Sequence, residues 1–327
     1  MKLVIQIPCL NEEATLPVTI RDLPTQIPGV DRIEILVIDD GSTDRTSELA
    51  RQLGATRVVR FPARRGLARA FDTGLREALA MGADIIVNTD ADNQYVGADI
   101  GKLITPILEK RADMVLGSRP IDAIEHFSPL KKLLQRLGSS VVRTLSNTDV
   151  PDATSGFRAY SREAAVRLTV LTGFTYTLET LIQASQKNLT IAHVPIRVNG
   201  KLRESRLFKG MGAYISRSLG TMLRVYLLYQ PLRFFLTLAG LSLLGALGLF
   251  ARFIVIYVRQ PVDSGHTQSL IVAGALAVIG MLFVSLGVLS DLTAMNRRLL
   301  EEILVNTRLA RLVSDRRAQS GPEDRAS

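Results

Sequence analysis

Two stretches toward the C-terminal end of the chain carry no charge at all, Phe234 to Ala251 and Leu270 to Ser290. Each holds enough apolar side chains to cross a bilayer as a helix, whereas a soluble fold would have to bury both on every side. The first run continues past Arg252, whose guanidinium can snorkel toward headgroups, as far as Val258. Two transmembrane helices are therefore expected within 233–291, and a hydrophobic content of 47% agrees. The loop from Arg259 to Ser269 is short and poor in positive charge, while Arg233 precedes the first span and Arg297 and Arg298 follow the second. Positive-inside reasoning puts both termini, and the N-terminal domain with them, on the cytoplasmic side of an integral membrane protein. Gly240, Gly245, Gly248, Gly274, Ala277 and Gly280 would allow close helix packing within or between chains, which leaves a homo-oligomer open.

The net charge of +9 is concentrated just before the first span. Lys201, Arg203, Arg206, Lys209, Arg217, Arg224 and Arg233 face only Glu204 in that stretch. No zinc-finger, RNP or helix-turn-helix pattern accompanies them, so nucleic acid is not the expected partner; anionic headgroups are. Met211, Ile215, Leu219, Met222 and Tyr226 fall on one helical stripe with Arg217 and Arg224 opposite, the pattern of an interfacial helix over 207–232, with a core-packing helix as the plainer alternative. Beyond the spans, Leu299 to Val313 reads as an amphipathic helix and Ser314 onward as a disordered tail. Cys9 is the sole cysteine, which excludes an intrachain disulfide and a cysteine-based zinc site. His126, His193 and His266 lack metal-ligand spacing, and the N-terminus lacks the long apolar run of a signal peptide.

The first two hundred residues alternate strand and helix. Leu3 to Ile7 reads as a strand stopped by Pro8, and Asn11 as the N-cap of a helix reaching about Leu23. Ile33 to Ile38 is a second strand, ending in Asp39-Asp40-Gly41-Ser42-Thr43-Asp44. Thr56 to Phe61 is a third, followed by Arg64-Arg65-Gly66 at a helix start, a turn suited either to a diphosphate or to solvent. A largely parallel α/β sheet follows from this alternation. The run Ala83 to Thr89 leads into Asp90-Ala91-Asp92-Asn93-Gln94 at the strand end where open α/β sheets bind ligands. Residues two apart on an extended chain point the same way, so Asp90 and Asp92 can aim hard oxygen ligands at one divalent ion, with Gln94 a neutral neighbour. The plainer alternative is an acidic turn. Further strands are expected at Asp113 to Gly117 and Ile191 to Val198, and helices at Asp99 to Lys110, Lys131 to Leu145, Ser161 to Leu168 and from Thr177. Asp152 to Arg158 reads as a turn suited to anion contact.

Pro8-x-Leu10-Asn11-Glu12-Glu13, Asp39-Asp40-Gly41-Ser42-Thr43-Asp44, Asp90-x-Asp92-x-Gln94, Gly117-Ser118-Arg119, Ser155-Gly156-Phe157-Arg158 and Arg203-x-Ser205-Arg206 stand in the order seen in family 2 glycosyltransferases. The set most resembles the dolichol- and polyprenyl-phosphate glycosyltransferases, over about residues 1–230. The resemblance implies a GT-A fold, Rossmann-like with a mostly parallel sheet, over 1–206, followed by the juxtamembrane helix, the two transmembrane α-helices and a cytoplasmic helix and tail at 292–327. It implies a donor nucleotide site from Pro8, Asn11, Glu12, Asp39, Asp40, Ser42 and Asp90, with Asp90, Asp92 and Gln94 gathered around Mg²⁺ or Mn²⁺. Arg119, Lys131, Arg158, Arg203, Ser205 and Arg206 are the candidates to seat an acceptor phosphate, and Asp92, Arg119 and Arg203 the candidate catalytic residues.

Two departures stand out. Lys131 and Gln135 occupy a helix where dolichol-phosphate mannosyltransferases tend to carry arginine and serine, and Arg206 stands where lysine is common. The chain has no tryptophan and so lacks the QxxRW signature of processive relatives. The implied activity is inverting transfer of one sugar from a UDP- or GDP-sugar to a polyprenyl phosphate. A glycolipid or diacylglycerol acceptor, or a silent membrane scaffold, are the competing expectations. Glu179 is expected to position an arginine or the sugar, or to lie on a helix surface.

Overall fold

A computed structural model describes residues 1–119, 150–170, 176–200, 226–259 and 267–319, and the single positions 220, 223 and 224. The expected helix at Lys131 to Leu145, the acceptor candidates Lys131, Arg203, Ser205 and Arg206, and most of the interfacial helix lie outside the described residues. The chain divides into two units, one comprising Met1–Thr221 with Val305–Ser327 and the other Met222–Leu304.

The first unit is built on a seven-stranded sheet ordered β3-β2-β1-β4-β6-β5-β7. Its strands are β1 (Lys2–Cys9), β2 (Arg32–Asp39), β3 (Arg57–Arg60), β4 (Ile85–Asn88), β5 (Met114–Ser118), β6 (Arg158–Ser161) and β7 (Ile191–Pro195). All pairings are parallel except those of β6, which runs against both β4 and β5. The mostly parallel α/β sheet expected of a GT-A domain is thus present. Helices α1 (Leu16–Asp22), α2 (Thr46–Gln52), α3 (Leu67–Ala80), α4 (Ile100–Leu108), α5 (Arg162–Arg167) and α6 (Tyr176–Gln186) cover it. Covered on both faces, β1 and β4 are apolar in nearly continuous runs. Leu3, Ile5, Ile7, Ile85 and Val87 join Leu16, Ile20, Ile100, Leu103 and Ile104 in one core cluster.

Two expectations are corrected, and one strand is new. Strand β1 runs through Pro8 to Cys9, pairing Pro8 with Ile38. The pairing of β1 with β4 ends at Gln6 and Asn88, so an N–H missing from Pro8 costs the sheet no bond on that side. Asn11 is no N-cap: it takes a left-handed conformation at φ 53°, and α1 begins only at Leu16. Strand β6 escapes a periodicity search because it has four residues and begins with an arginine.

The second unit contains α7 (Pro231–Arg259) and most of α8 (Thr267–Gln319). Both are long and apolar enough to cross a membrane. Their outward leucines and isoleucines are bare, with Leu244 and Ile271 67% and 70% exposed, which suits lipid and not water. Gly280 lets α8 close on α7, since a Cβ there would meet Leu243 at 2.7 Å; Gly287, which the sequence reading passed over, lies likewise against Phe235 at 3.2 Å. Gly240, Gly248 and Gly274 have no such neighbour within 4 Å. Helix α8 is continuous to Gln319, so the helix expected over Leu299 to Val313 is present as its continuation, and the stretch 314–319, expected to be disordered, is helical as well.

Candidate functional site

The loops that leave the C-terminal ends of β1, β2 and β4 form the candidate active site, and the first two are stitched together through their backbones. Asn11 N–H donates to Ser42 Oγ at 2.9 Å and Glu12 N–H to Thr46 Oγ1 at 2.8 Å, while Thr43 N–H donates to Asn11 Oδ1 at 2.8 Å. These bonds take the N–H groups that a helix starting at Asn11 would have left for a cap, which explains its late start.

Asp39 is fully buried and accepts from Ser42 N at 2.7 Å and from the Ser47 hydroxyl. The Asp40 carboxylate accepts from Arg65 N at 2.7 Å and Gly66 N at 2.9 Å, pinning the loop before α3. Between them Gly41, at φ 80°, passes so near Ala63 that a Cβ would sit 2.8 Å from its carbonyl carbon. Of the residues expected to hold a nucleotide, Pro8, Glu12, Asp39, Asp40 and Ser42 are buried, and Asn11, Asp90, Asp92 and Gln94 keep access to solvent. The carboxylates of Asp39 and Asp40 thus also brace the turn they stand in. Cys9 lies buried beneath them; burial, then the charges of Glu12, Asp39, Asp44 and Asp90, push its thiol well up and keep it inert.

Asp90 leaves β4 beside the loop entering β6. Because β6 is reversed, its preceding residues reach the edge where β4 ends. A Cβ built on Gly156 would lie 2.8 Å from Tyr176 Oη and 3.2 Å from both Asp90 carboxylate oxygens, so both side chains crowd the bare α-carbon. Asn88 Nδ2 donates to Gly156 O at 2.8 Å and to Tyr176 Oη at 3.1 Å, and Asn88 Oδ1 accepts from Gln6 Nε2 at 2.9 Å. Tyr176 stacks on Phe71 with centroids 4.0 Å apart. Burial, then Asp90, push its phenol well above the ordinary range, so it stays a proton donor. Tyr95 completes the wall: it accepts from Gly156 N at 3.2 Å, stacks on Phe157, and is pushed up to about 12 by burial.

Asp92 accepts from Gln94 N at 3.1 Å. The turn is supported from behind by residues after β7: Asn199 N–H donates to Gln94 O at 2.8 Å, Asn199 Nδ2 to Asn93 O at 3.0 Å, and Val198 bridges Tyr95. That support is anchored by Asp99, fully buried, which accepts from Arg197 N at 2.7 Å and Arg197 Nη2 at 2.8 Å and pairs with Lys102 at 2.9 Å. Burial alone would raise this carboxyl, but the Arg197 and Lys102 bonds outweigh it and hold it at about 2. A carboxylate depressed on folding contributes stability above its unfolded pKa of about 4 and loses it as pH falls through the folded value. We expect Asp99→Asn to cost about 2 kcal/mol at neutral pH, with the gap to the parent shrinking below about pH 4. Thermal unfolding across pH checks it; a gap that ignores acid would show that the carboxylate charge is not what holds the segment.

Two arginines expected to face an acceptor phosphate are otherwise engaged. Arg158 is fully buried, and its guanidinium donates to Ser155 O at 2.7 Å, Thr177 O at 2.6 Å and Ala153 O at 2.6 Å. It is a strut for the loop before β6. Arg119 forms a fork on Asp152 at 2.7 and 3.1 Å and reaches Thr154 Oγ1 at 3.1 Å, with 11% of its side chain exposed. Burial would raise Asp152, but the Arg119 bonds and charge keep it below the carboxylate range. Glu179 is buried on α6, so its surface reading fails.

Among the described residues no three His, Cys, Asp or Glu side chains converge as a metal cluster. Asp90 and Asp92 nevertheless fit a hard dication whose remaining ligands come from phosphate oxygens. Sequence reasoning singled out Asp90, Asp92 and Gln94 and the turn from Asp152, but it passed over Asn88, Tyr176, Arg197 and Asn199, none of which stands in an acidic or glycine-rich turn, and Tyr95, which directly follows one.

The sequence model of Glycosyl transferase family 2 matches residues 4–169. The UDP-N-acetylglucosamine–dolichyl-phosphate N-acetylglucosaminyltransferase of Methanococcus voltae is 32% identical over 212 residues, 58% of this chain and 83% of that one. The undecaprenyl-phosphate mannosyltransferase of Micrococcus luteus is 28% identical over 222 residues, 64% and 89% of the two chains. Among solved structures, glucosyl-3-phosphoglycerate synthase of Mycobacterium tuberculosis with Mn²⁺, UDP-glucose and phosphoglyceric acid is similar at TM-score 0.52 and 26% identity, over 68% of this chain and 76% of that one.

Proposed function

The chain belongs to glycosyl transferase family 2, and from that premise we propose that it moves one sugar from a nucleotide sugar to a polyprenyl phosphate at a membrane surface. The observation that carries the acceptor is that the family domain shares its chain with two helices long and apolar enough for a bilayer, Pro231–Arg259 and Thr267–Thr307. The relatives named for dolichyl and undecaprenyl phosphates support it.

Transfer breaks the bond from the anomeric carbon to the nucleoside diphosphate and forms one to an oxygen of the acceptor phosphate. Attack from the opposite face inverts the centre. The acceptor oxygen is already anionic near neutral pH, so no strong base is required. Asp90 and Asp92, with Gln94, would hold Mg²⁺ or Mn²⁺, which is bound with UDP in the structural relatives. Such an ion stabilises the charge that develops on the leaving diphosphate. Asn11, which keeps access to solvent beside the Asp39–Asp40 turn, would contact the nucleoside, with Asp39 and Asp40. Arg203, Ser205 and Arg206, with Lys131 and Arg119, would seat the acceptor phosphate, and the buried Arg158 would brace the loop beside them.

The test is to incubate purified protein and undecaprenyl phosphate with a panel of UDP- and GDP-sugars and to weigh the lipid products. Diacylglycerol or a glycolipid gaining the sugar instead would overturn the acceptor. For the seat, Arg203→Ala is expected to weaken use of the lipid phosphate by one to two decades, about 1.5–3 kcal/mol, with donor binding little changed and Arg203→Lys rescuing part. A loss confined to donor binding would assign Arg203 to the diphosphate. For topology, cysteines at Ser264 and Ser320 in a Cys9→Ser background should label from opposite sides, with the domain and both termini cytoplasmic. Labelling of both from one side would refute that orientation.

A further inference from the structure

Three carbonyls of the turn Asp90 to Gln94 are already engaged, which leaves its side chains to serve as ligands. Thr19 Oγ1 on α1 donates to Ala91 O at 2.9 Å, Asn199 Nδ2 to Asn93 O at 3.0 Å and Asn199 N–H to Gln94 O at 2.8 Å. Asn199 therefore holds both peptide groups that flank the α-carbon of Gln94, and with them the direction of its side chain. Asn93 takes the left-handed region at φ 54°, which few residues other than glycine adopt, so the turn keeps its shape only while its surroundings fasten it. Asn199 ends a segment from Ile196 in which every residue is tied down. Ile196 N–H donates to Ser118 O at 3.0 Å, directly before Arg119; Arg197 is forked on Asp99; Val198 bridges Tyr95. Arg203 follows Asn199 by four residues, a length of chain that spans at most about 14 Å. One short segment thus has an acceptor candidate near each end and the metal turn against it.

We propose that Asn199 is a positioning residue that couples the acceptor phosphate to the metal. A lipid phosphate drawn to Arg119 and Arg203 fastens the chain on either side of Asn199, and Asn199 then holds Asp92 and Gln94 in the arrangement a dication requires. A dication bound there favours the same arrangement, because coupling between two sites is reciprocal. An Asn199 that served packing alone would leave metal affinity independent of the lipid. The proposal deepens the acceptor reading above and rests on it, since the lipid phosphate must reach those arginines for the coupling to act.

The test titrates bound Mn²⁺ by electron paramagnetic resonance in the full-length protein at saturating UDP and, in parallel, GDP. Each titration is run with undecaprenyl phosphate, with undecaprenol and with phosphatidylglycerol. In the parent, undecaprenyl phosphate should tighten Mn²⁺ about five-fold and the other two lipids should leave it unchanged. Asn199→Ala keeps the backbone N–H bond and loses the one to Asn93 O; it should weaken Mn²⁺ about ten-fold and lose the response to the lipid phosphate. Thr19→Val slackens the turn from its other side, so it should weaken Mn²⁺ yet keep the five-fold response. Thermal unfolding without metal checks that both variants are folded. A parent that transfers sugar to undecaprenyl phosphate while its Mn²⁺ affinity ignores that lipid overturns the coupling alone. Neither transfer nor response overturns the acceptor reading, and the coupling with it. A response kept in Asn199→Ala, or lost equally in Thr19→Val, overturns the role of Asn199. An equal response to phosphatidylglycerol assigns the effect to lipid charge and overturns the proposal.

Discussion

Replacing Asp92 by asparagine is expected to lower turnover by about three orders of magnitude, the scale of the several kcal/mol that a bound dication contributes to a developing diphosphate charge. The amide is nearly the same size but a poorer ligand for a hard ion. Asp92 is only half-buried, and its bond from Gln94 N can be accepted equally by an amide oxygen. Folding and membrane insertion should therefore be unchanged, which separates loss of chemistry from loss of structure. The measurement is initial rate against Mg²⁺ and Mn²⁺ concentration, together with thermal unfolding. Near-normal turnover of the variant, or full activity of the parent in excess chelator, would sink the metal-dependent mechanism.

The second large effect is expected at a residue with no functional group. In Gly156→Ala the new methyl would lie 2.8 Å from Tyr176 Oη and 3.2 Å from both Asp90 oxygens, closer than side chains accept. Tyr176 is clamped by Phe71 and Asn88 and cannot retreat, so Asp90 has to move. Displacing a metal-holding carboxylate costs about ten- to a hundred-fold in metal affinity or activity. The variant should need more Mn²⁺ for half-maximal rate, and Tyr176→Phe in the same chain should restore part of the loss by removing the oxygen the methyl meets. Mn²⁺ binding followed by electron paramagnetic resonance gives the same reading without turnover. A lower unfolding temperature with unchanged metal dependence would show that Gly156 serves packing alone.

These two sites differ in how openly the sequence displays them. Asp90 and Asp92 are legible because a run of buried aliphatics ends in carboxylates two apart, and strand geometry does the rest. Asp39 and Asp40 end a run of the same kind, yet they serve the backbone of their own turns. The difference lies in which N–H groups come within reach, Ser42 from the same turn and Arg65 and Gly66 from the loop after β3. Composition carries no record of that second approach. The bonds of Arg158 and Arg119 were hidden for a related reason: an arginine in a turn looks the same in sequence whether its guanidinium meets carbonyls, a carboxylate or a ligand. Strands β1, β2 and β4 could be read because burial on both faces imposes an unbroken apolar code. Strand β6 could not, because its register is fixed by β4 and β5 on either side and not by its own four residues. The two apolar helices were readable from charge alone, whereas the continuity of α8 was hidden by its change from apolar to mixed composition.

The Arg119–Asp152 fork joins residues 33 apart in sequence, at the two feet of the excursion between β5 and β6. Both feet stand on the same edge of the sheet because one strand ends there and the reversed one begins there. Closing a flexible loop costs free energy only as the logarithm of its length, about 0.6 kcal/mol for each doubling. An ion pair at the neck therefore insulates the sheet from whatever the intervening segment becomes. Changing the length of that segment should therefore leave the carboxylate turns beneath in register.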